Sequence, residues 1–141
     1  MFRLASVRNE HFLEISLIEE AKSGYDSGDV MLLVAAESHG FTGRTEVWVL
    51  QEEIARFAKD LIDLSRNLKG SAVLRSVSPN ELALEVRAVT SRGHLAVQGS
   101  LGYHIHEGER MYWHAAHVGF EFEPSQLEAA VGEPWVAKNA A

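Results

Sequence analysis

QEEIARFAKDLIDLSRNL, residues 51–68, is the stretch on which the fold turns. Ile54, Phe57, Ala58, Leu61, Leu64 and Leu68 recur at three- and four-residue steps, the apolar stripe of an amphipathic helix. Glu52 and Glu53 fall in the first turn and Arg66 and Lys69 near the end, each where the helix dipole favours its charge. Gly70 offers a left-handed stop. Arg56, Lys59, Asp60 and Asp63 make an ordinary solvated outer face. The apolar stripe has to be buried, and the segments on either side of it read as strands.

Beyond Gly70 the apolar period changes from 3.6 to 2. Ser71–Val77 reads as a short strand, and Ser78-Pro79-Asn80 as a turn. Leu82, Leu84, Val86 and Ala88 then share one face of a strand that is turned by Ser91-Arg92-Gly93. Leu95, Val97, Leu101, Tyr103 and Ile105 continue the alternation to a turn at Glu107-Gly108, and Tyr112, Ala116, Val118, Phe120 and Phe122 carry it back. Such short connections allow only antiparallel pairing. Pro124-Ser125 opens a short helix over residues 126–131, stopped by Gly132 and Pro134.

On the other side, VMLLVAA (30–36) is apolar without alternation, which predicts a strand covered on both faces. Ser38-His39-Gly40 turns it into its partner FTGRTEVWVL (41–50). EHFLEISLI (10–18) reads as another strand, and residues 19–29 as loop. The class expected is α+β: an antiparallel, meander-rich sheet of about six or seven strands, one main amphipathic helix packed on one face, and a short C-terminal helix. Residues 1–134 are expected to form a single domain, and residues 135–141 a loosely held C-terminal tail.

With 141 residues and no cysteine, the chain is long enough for a sizeable core without disulfides, and this suits a reducing, cytoplasmic setting. A net charge of −7 argues against nucleic acid as a partner and suits a basic protein. No apolar run reaches the ~18–20 residues of a membrane span. Glu107, Glu109, Glu121, Glu123, Glu128 and Glu133 face only Arg110 between residues 107 and 135, a local balance of −5 that predicts an acidic patch.

Seven histidines raise the question of a metal. His114 and His117 have helical ligand spacing, but on a strand they point to opposite faces. His94 and His104 are ten residues apart, about 33 Å along a strand at ~3.3 Å per residue. Only His104 and His106 can approach each other, so no metal and no cofactor is expected. Phosphate loops, G-x-S-x-G and H-E-x-x-H are absent, and no catalytic residue is assigned. With the turn at Glu107-Gly108, Ser100 faces Ala115, Gln98 faces His117, His104 faces Met111 and Glu121 faces His94. On the polar face of this hairpin Trp113, Met111, His104, His117 and Glu121 form the candidate partner-binding set, Trp113 being exposed there or covered by a second layer.

VMLLVAAESHGFTGRTEVWVL with Phe41-Thr42-Gly43 at its turn, the helix LQEEIARFAKDLIDLSRNLKG, a short strand, NELALEV from Asn80, and Ser91-Arg92-Gly93-His94 follow one another in a familiar order. Over roughly residues 10–131 this resembles a family of small bacterial domains related to the immunity proteins of wall-associated polymorphic toxins. The His104–Trp113 hairpin is longer than that pattern. The resemblance implies a binding protein, with no catalytic residues to carry over. The first expectation is therefore a non-enzymatic, cytoplasmic interaction domain, immunity-like, that neutralises a toxin by covering it. One alternative is a small-ligand binder with an apolar pocket lined by Phe41, Trp48, Tyr103 and Tyr112. Another is a hydrolase or isomerase using a histidine–carboxylate pair. A homodimer through the sheet face is compatible with all three.

Overall fold

The computed structural model describes residues Met1–Ala141. The elements in chain order are β1 (Phe2–Ala5), β2 (Phe12–Glu20), β3 (Val30–Ser38), β4 (Phe41–Val49), α1 (Gln51–Asn67), β5 (Ser71–Arg75), β6 (Leu82–Ala88), β7 (Leu95–Glu107), β8 (Arg110–Phe122), α2 (Pro124–Ala130) and α3 (Pro134–Ala140). The fold is α+β, and its strands form two antiparallel meanders of four, β1-β2-β3-β4 and β5-β6-β7-β8. One sheet of six or seven strands is the expectation corrected here. Helix α1 stands between β4 and β5 and carries the chain away from the first sheet, so β4 remains an edge.

Helix α1 buries Ile54, Phe57, Ala58, Leu61 and Leu64, as the stripe requires. It ends two residues before the expected stop. Leu68 itself takes the left-handed conformation (φ 55°) and donates its N–H to the Leu64 carbonyl. Gly70, at φ 88°, then bends the chain into β5. At the other end the Asp29 carboxylate accepts the Gln51 N–H at 2.9 Å, placing a negative charge where the dipole favours one.

One core of 30 buried residues draws on both sheets and all three helices. The sheets meet through close backbone approach. A Cβ on Gly43 of β4 would lie 3.1 Å from the Ala116 Cβ and 3.3 Å from the Leu101 Cβ. The Ser38 hydroxyl donates to the Gly119 carbonyl at 2.6 Å, and the Thr45 hydroxyl to the Gly102 carbonyl at 3.2 Å. Ser38 and Thr45 are the buried polar side chains, and these inter-sheet bonds satisfy them. Strands β7 and β8 thus cross the first sheet, touching β3 at Gly119 and β4 at Leu101, Gly102 and Ala116.

Strand β3 is covered on one face only: Val30, Leu32, Val34 and Ala36 are buried, while Met31, Leu33 and Ala35 stay half-exposed. Two elements escape the periodicity. Strand β1 has four residues, yet Phe2 and Leu4 are fully buried. Where residues 135–141 are expected as a loose tail, Pro134–Ala140 form α3, with Trp135 and Val136 buried. Trp135 packs on Phe2 at 5.7 Å between ring centroids, and Lys138 reaches Glu20 at 2.8 Å. That bond and the Lys138 charge hold the Glu20 carboxyl below its ordinary value. No helix is long and apolar enough to cross a membrane.

Candidate protein-interaction surface

Strands β7 and β8 have thirteen residues each and β6 has seven. Strand β6 reaches only to Leu82, opposite Leu101. The Gly102 N–H still donates to the Glu81 carbonyl at 2.9 Å. Beyond it the last five pairs of β7 and β8, from Tyr103↔His114 to Glu107↔Arg110, therefore run on as a lone ribbon, about 17 Å long at ~3.3 Å per residue. Its two-residue turn is Gly108-Glu109, and Gly108 takes the positive φ (65°) that the first turn position needs. A turn at Glu107-Gly108 is corrected by one residue, and the register by two. His104 faces Trp113 instead of Met111, Gln98 faces Gly119, Ser100 faces His117, and Glu121 faces Ala96 rather than His94. A slip of two leaves every side chain on its expected face.

The outer face of the ribbon brings Trp113, His104 and Met111 together. The Trp113 indole lies over Gly102, where a Cβ would come within 2.4 Å of Cζ2, and its ring centroid is 4.5 Å from that of His104. The inner face continues the core face of the hairpin with Tyr103, Ile105, Tyr112 and His114; Tyr103 stacks on His114 at 5.6 Å. No second layer covers either face. Tyr103 is 41% exposed, Met111 55%, Tyr112 46% and Trp113 43%. An isolated two-stranded ribbon is marginal in water, and here cross-strand aromatic pairs and the rooted end sustain it. Large apolar side chains held in solvent along one projecting element are the composition of a binding anchor.

The other candidates are not gathered there. His117 lies lower on the same outer face, in a trough of about 460 Å³ with Arg75, Glu85, Gln98 and Ser100. Glu121 lies eight residues from Trp113, about 26 Å along β8. Phe41 and Trp48 sit near opposite ends of β4, some 23 Å apart by strand rise, and on opposite faces. The clefts that take in Tyr103 include neither of them, nor Tyr112. The interior between α1 and the sheets is filled by core side chains. The six glutamates are also dispersed: Glu107 and Glu109 at the ribbon tip, Glu121 and Glu123 at its root, Glu128 on α2, and Glu133 bound to the N-terminal amine at 2.7 Å.

Histidine and carboxylate side chains nowhere gather in a group able to hold a metal ion. His94 is exposed in the turn before β7. One cleft, of about 510 Å³, does hold two histidines and a carboxylate: His11, His39 and Glu121, beside Arg87. Neither histidine was singled out by spacing, because they lie in separate turns. Their ring centroids are 4.1 Å apart, and His11 Nδ1 accepts the His39 backbone N–H at 3.3 Å. His11 also lies 6.2 Å from Phe120, so the pair packs the β1–β2 and β3–β4 turns against β8. The ion pairs of the molecule involve arginine, lysine and the N-terminus, not histidine.

The inner-face residues Ile105 and His114 were not singled out in the sequence as binding residues, and Tyr103 and Tyr112 were placed in a pocket. The available signal was turn spacing: the strand before Gly108 is much longer than the one between Asn80 and Ser91, so part of it has no neighbour beyond its hairpin partner. Comparison with curated proteins and with solved structures finds no match. Among protein families, the model described as the Immunity protein WapI-like family matches residues 3–133.

Proposed function

The chain belongs to the WapI-like immunity protein family, and on that premise we propose that it neutralises a toxin by binding it, with the β7–β8 ribbon as the docking element. The observation that carries this reading is the exposure of Trp113 and Met111 on one face, and of Tyr112 and Tyr103 on the other, of a ribbon that contributes little to the core. Tryptophan and tyrosine so placed are the usual anchors of tight interfaces. The net charge of −7 acts at long range, speeding encounter with a basic partner. The site of action is the cytoplasm, where a delivered toxin would meet its target.

Co-expression with a toxic domain of a wall-associated toxin from the same host tests it. The expected result is restored growth and a stoichiometric complex by size-exclusion chromatography. Trp113→Ala and Tyr112→Ala should each weaken binding about tenfold or more while leaving the circular dichroism of the free protein unchanged. Absence of any complex removes the immunity reading; undiminished binding by both variants removes the ribbon from it. A histidine-dependent hydrolase or isomerase is the second reading, favoured by the His11–His39–Glu121 cleft. In that case growth protection would survive the ribbon substitutions and be lost in His11→Ala or His39→Ala.

A further inference from the structure

Strand β4 is an open edge of its sheet. The phase of its unpaired groups is fixed by one bond: the Trp48 carbonyl points away from β3 and accepts the Val77 N–H at 2.8 Å. Strand hydrogen bonding alternates with period two, so the N–H and C=O groups of Thr42, Arg44 and Glu46 also point outward. No neighbouring strand pairs with them. They face open space, a cleft of about 600 Å³ between Thr42–Arg44 and the ribbon, continued by one of about 390 Å³ around Arg44–Glu46 and Tyr103.

The direction of the ribbon makes this edge more than an incidental one. Following the hairpin outward, Gly119 touches β3, Leu101, Gly102 and Ala116 touch β4, and Tyr103 stands beside the β4 edge. The ribbon therefore leaves the body past that edge, and its inner face continues beyond it. A strand added to β4 at the usual ~4.8 Å spacing would lie across Tyr103, His114, Ile105 and Tyr112. Edge groups supply the main-chain bonds, and the ribbon supplies an apolar floor for alternate side chains.

We propose that this ledge receives an extended strand of the toxin, which pairs with Thr42–Glu46 of β4 and extends the first sheet across the ribbon. The inference rests on the immunity reading and names the mode of contact. The partner strand would be about five residues long, with apolar side chains at alternate positions facing Tyr103 and Ile105. The residues between them would face outward, on the side of Arg44 and Glu46. Main-chain pairing of this kind tolerates sequence change in the partner, and the floor selects for alternating hydrophobicity.

Hydrogen exchange of the complex with the toxic domain tests the pairing directly. The amides of Thr42, Arg44 and Glu46 should exchange at least about tenfold more slowly in the complex than in the free chain. Arg44→Pro removes one outward N–H and none of the β3 ladder, and Gly43 before it tolerates the proline. It should weaken binding about tenfold or more with the melting temperature of the free protein little changed. Should that variant fold poorly, Ile105→Asp on the half-buried floor gives the same reading. A complex that forms with these amides unprotected, and with Ile105→Asp binding as wild type, overturns the ledge and leaves the immunity reading standing. Protection that appears in the free chain as its concentration rises overturns it in favour of a second copy. Failure to form any complex overturns both.

Discussion

Between Leu95 and Leu101, and back from Ala116 to Phe122, the β7–β8 hairpin buries Leu95, Val97, Leu101, Val118, Phe120 and Phe122 in the core. Between Gly102 and Ala115 the same ladder, with the same alternation, leaves Tyr103, Met111, Tyr112 and Trp113 in solvent. Local chemistry does not separate the two halves. What separates them is the end of β6 and the crossing of β3 and β4, which cover one half and stop short of the other. Alternation determines which face a side chain occupies, while its energetic role depends on what lies over that face.

That contrast can be broken most severely in the buried half. A Cβ on Gly99 would lie 2.1 Å from the Ala83 carbonyl oxygen and 2.9 Å from the Leu84 Cα, both backbone atoms that cannot step aside. Gly99→Val should destabilise the protein by about 3 kcal/mol or more, read by urea denaturation.

The sharpest comparison uses two residues on the same face, two positions apart. Leu101→Ala opens a cavity in a fully packed site and should cost about 2–4 kcal/mol. Tyr103→Ala removes a half-solvated ring and should cost under about 1 kcal/mol. Equal losses in the two variants would show that the ribbon belongs to the core after all.

Ser38→Ala removes the hydroxyl that donates to the Gly119 carbonyl and receives the Gly119 N–H at 3.4 Å, joining β3 to the root of the hairpin. A loss of about 1–2 kcal/mol is expected from the unsatisfied pair. Binding in the ribbon half should be unaffected.

The smallest effect lies far from the hairpin, at the exposed Glu20–Lys138 pair that ties α3 to β2. The Glu20 carboxyl is lowered first by the Lys138 hydrogen bond and then by its charge. A depressed carboxyl stabilises the fold above its unfolded value, and the contribution disappears as pH falls through the lowered one. Thermal melts of Lys138→Ala should thus differ marginally from wild type at neutral pH, coincide with it in strong acid, and coincide again at high salt.

How much of this was readable beforehand differs by element. Ile54, Phe57, Ala58, Leu61 and Leu64 announced α1, because a 3.6-residue stripe has one way to be buried. The faces of β7 and β8 were legible too, because strand parity survives a register slip of two. The slip itself came from choosing Glu107-Gly108 over Gly108-Glu109, a choice that only the positive φ of Gly108 resolves. Strand β1 and helix α3 stayed hidden, since Phe2 with Leu4, and Trp135 with Val136, are too few to show a period. They are ordered by packing on each other and on the core. For the candidate surface, Trp113, Met111 and His104 were placed on their common face from sequence, while the inner face with Ile105 and His114 was not read as a surface at all.

By itself the sequence determined the helix, the antiparallel strands, the side each residue occupies and the family to which the order of parts belongs. Periodicity and turn chemistry act over a few neighbouring residues, and such information is complete in a linear chain. Only the tertiary structure decided that there are two sheets, that β4 is an open edge, and that half of the last hairpin leaves the body beside it. Those outcomes depend on which distant segments meet, as Ser38 meets Gly119 and Thr45 meets Gly102. No local pattern encodes a contact across more than fifty residues of chain.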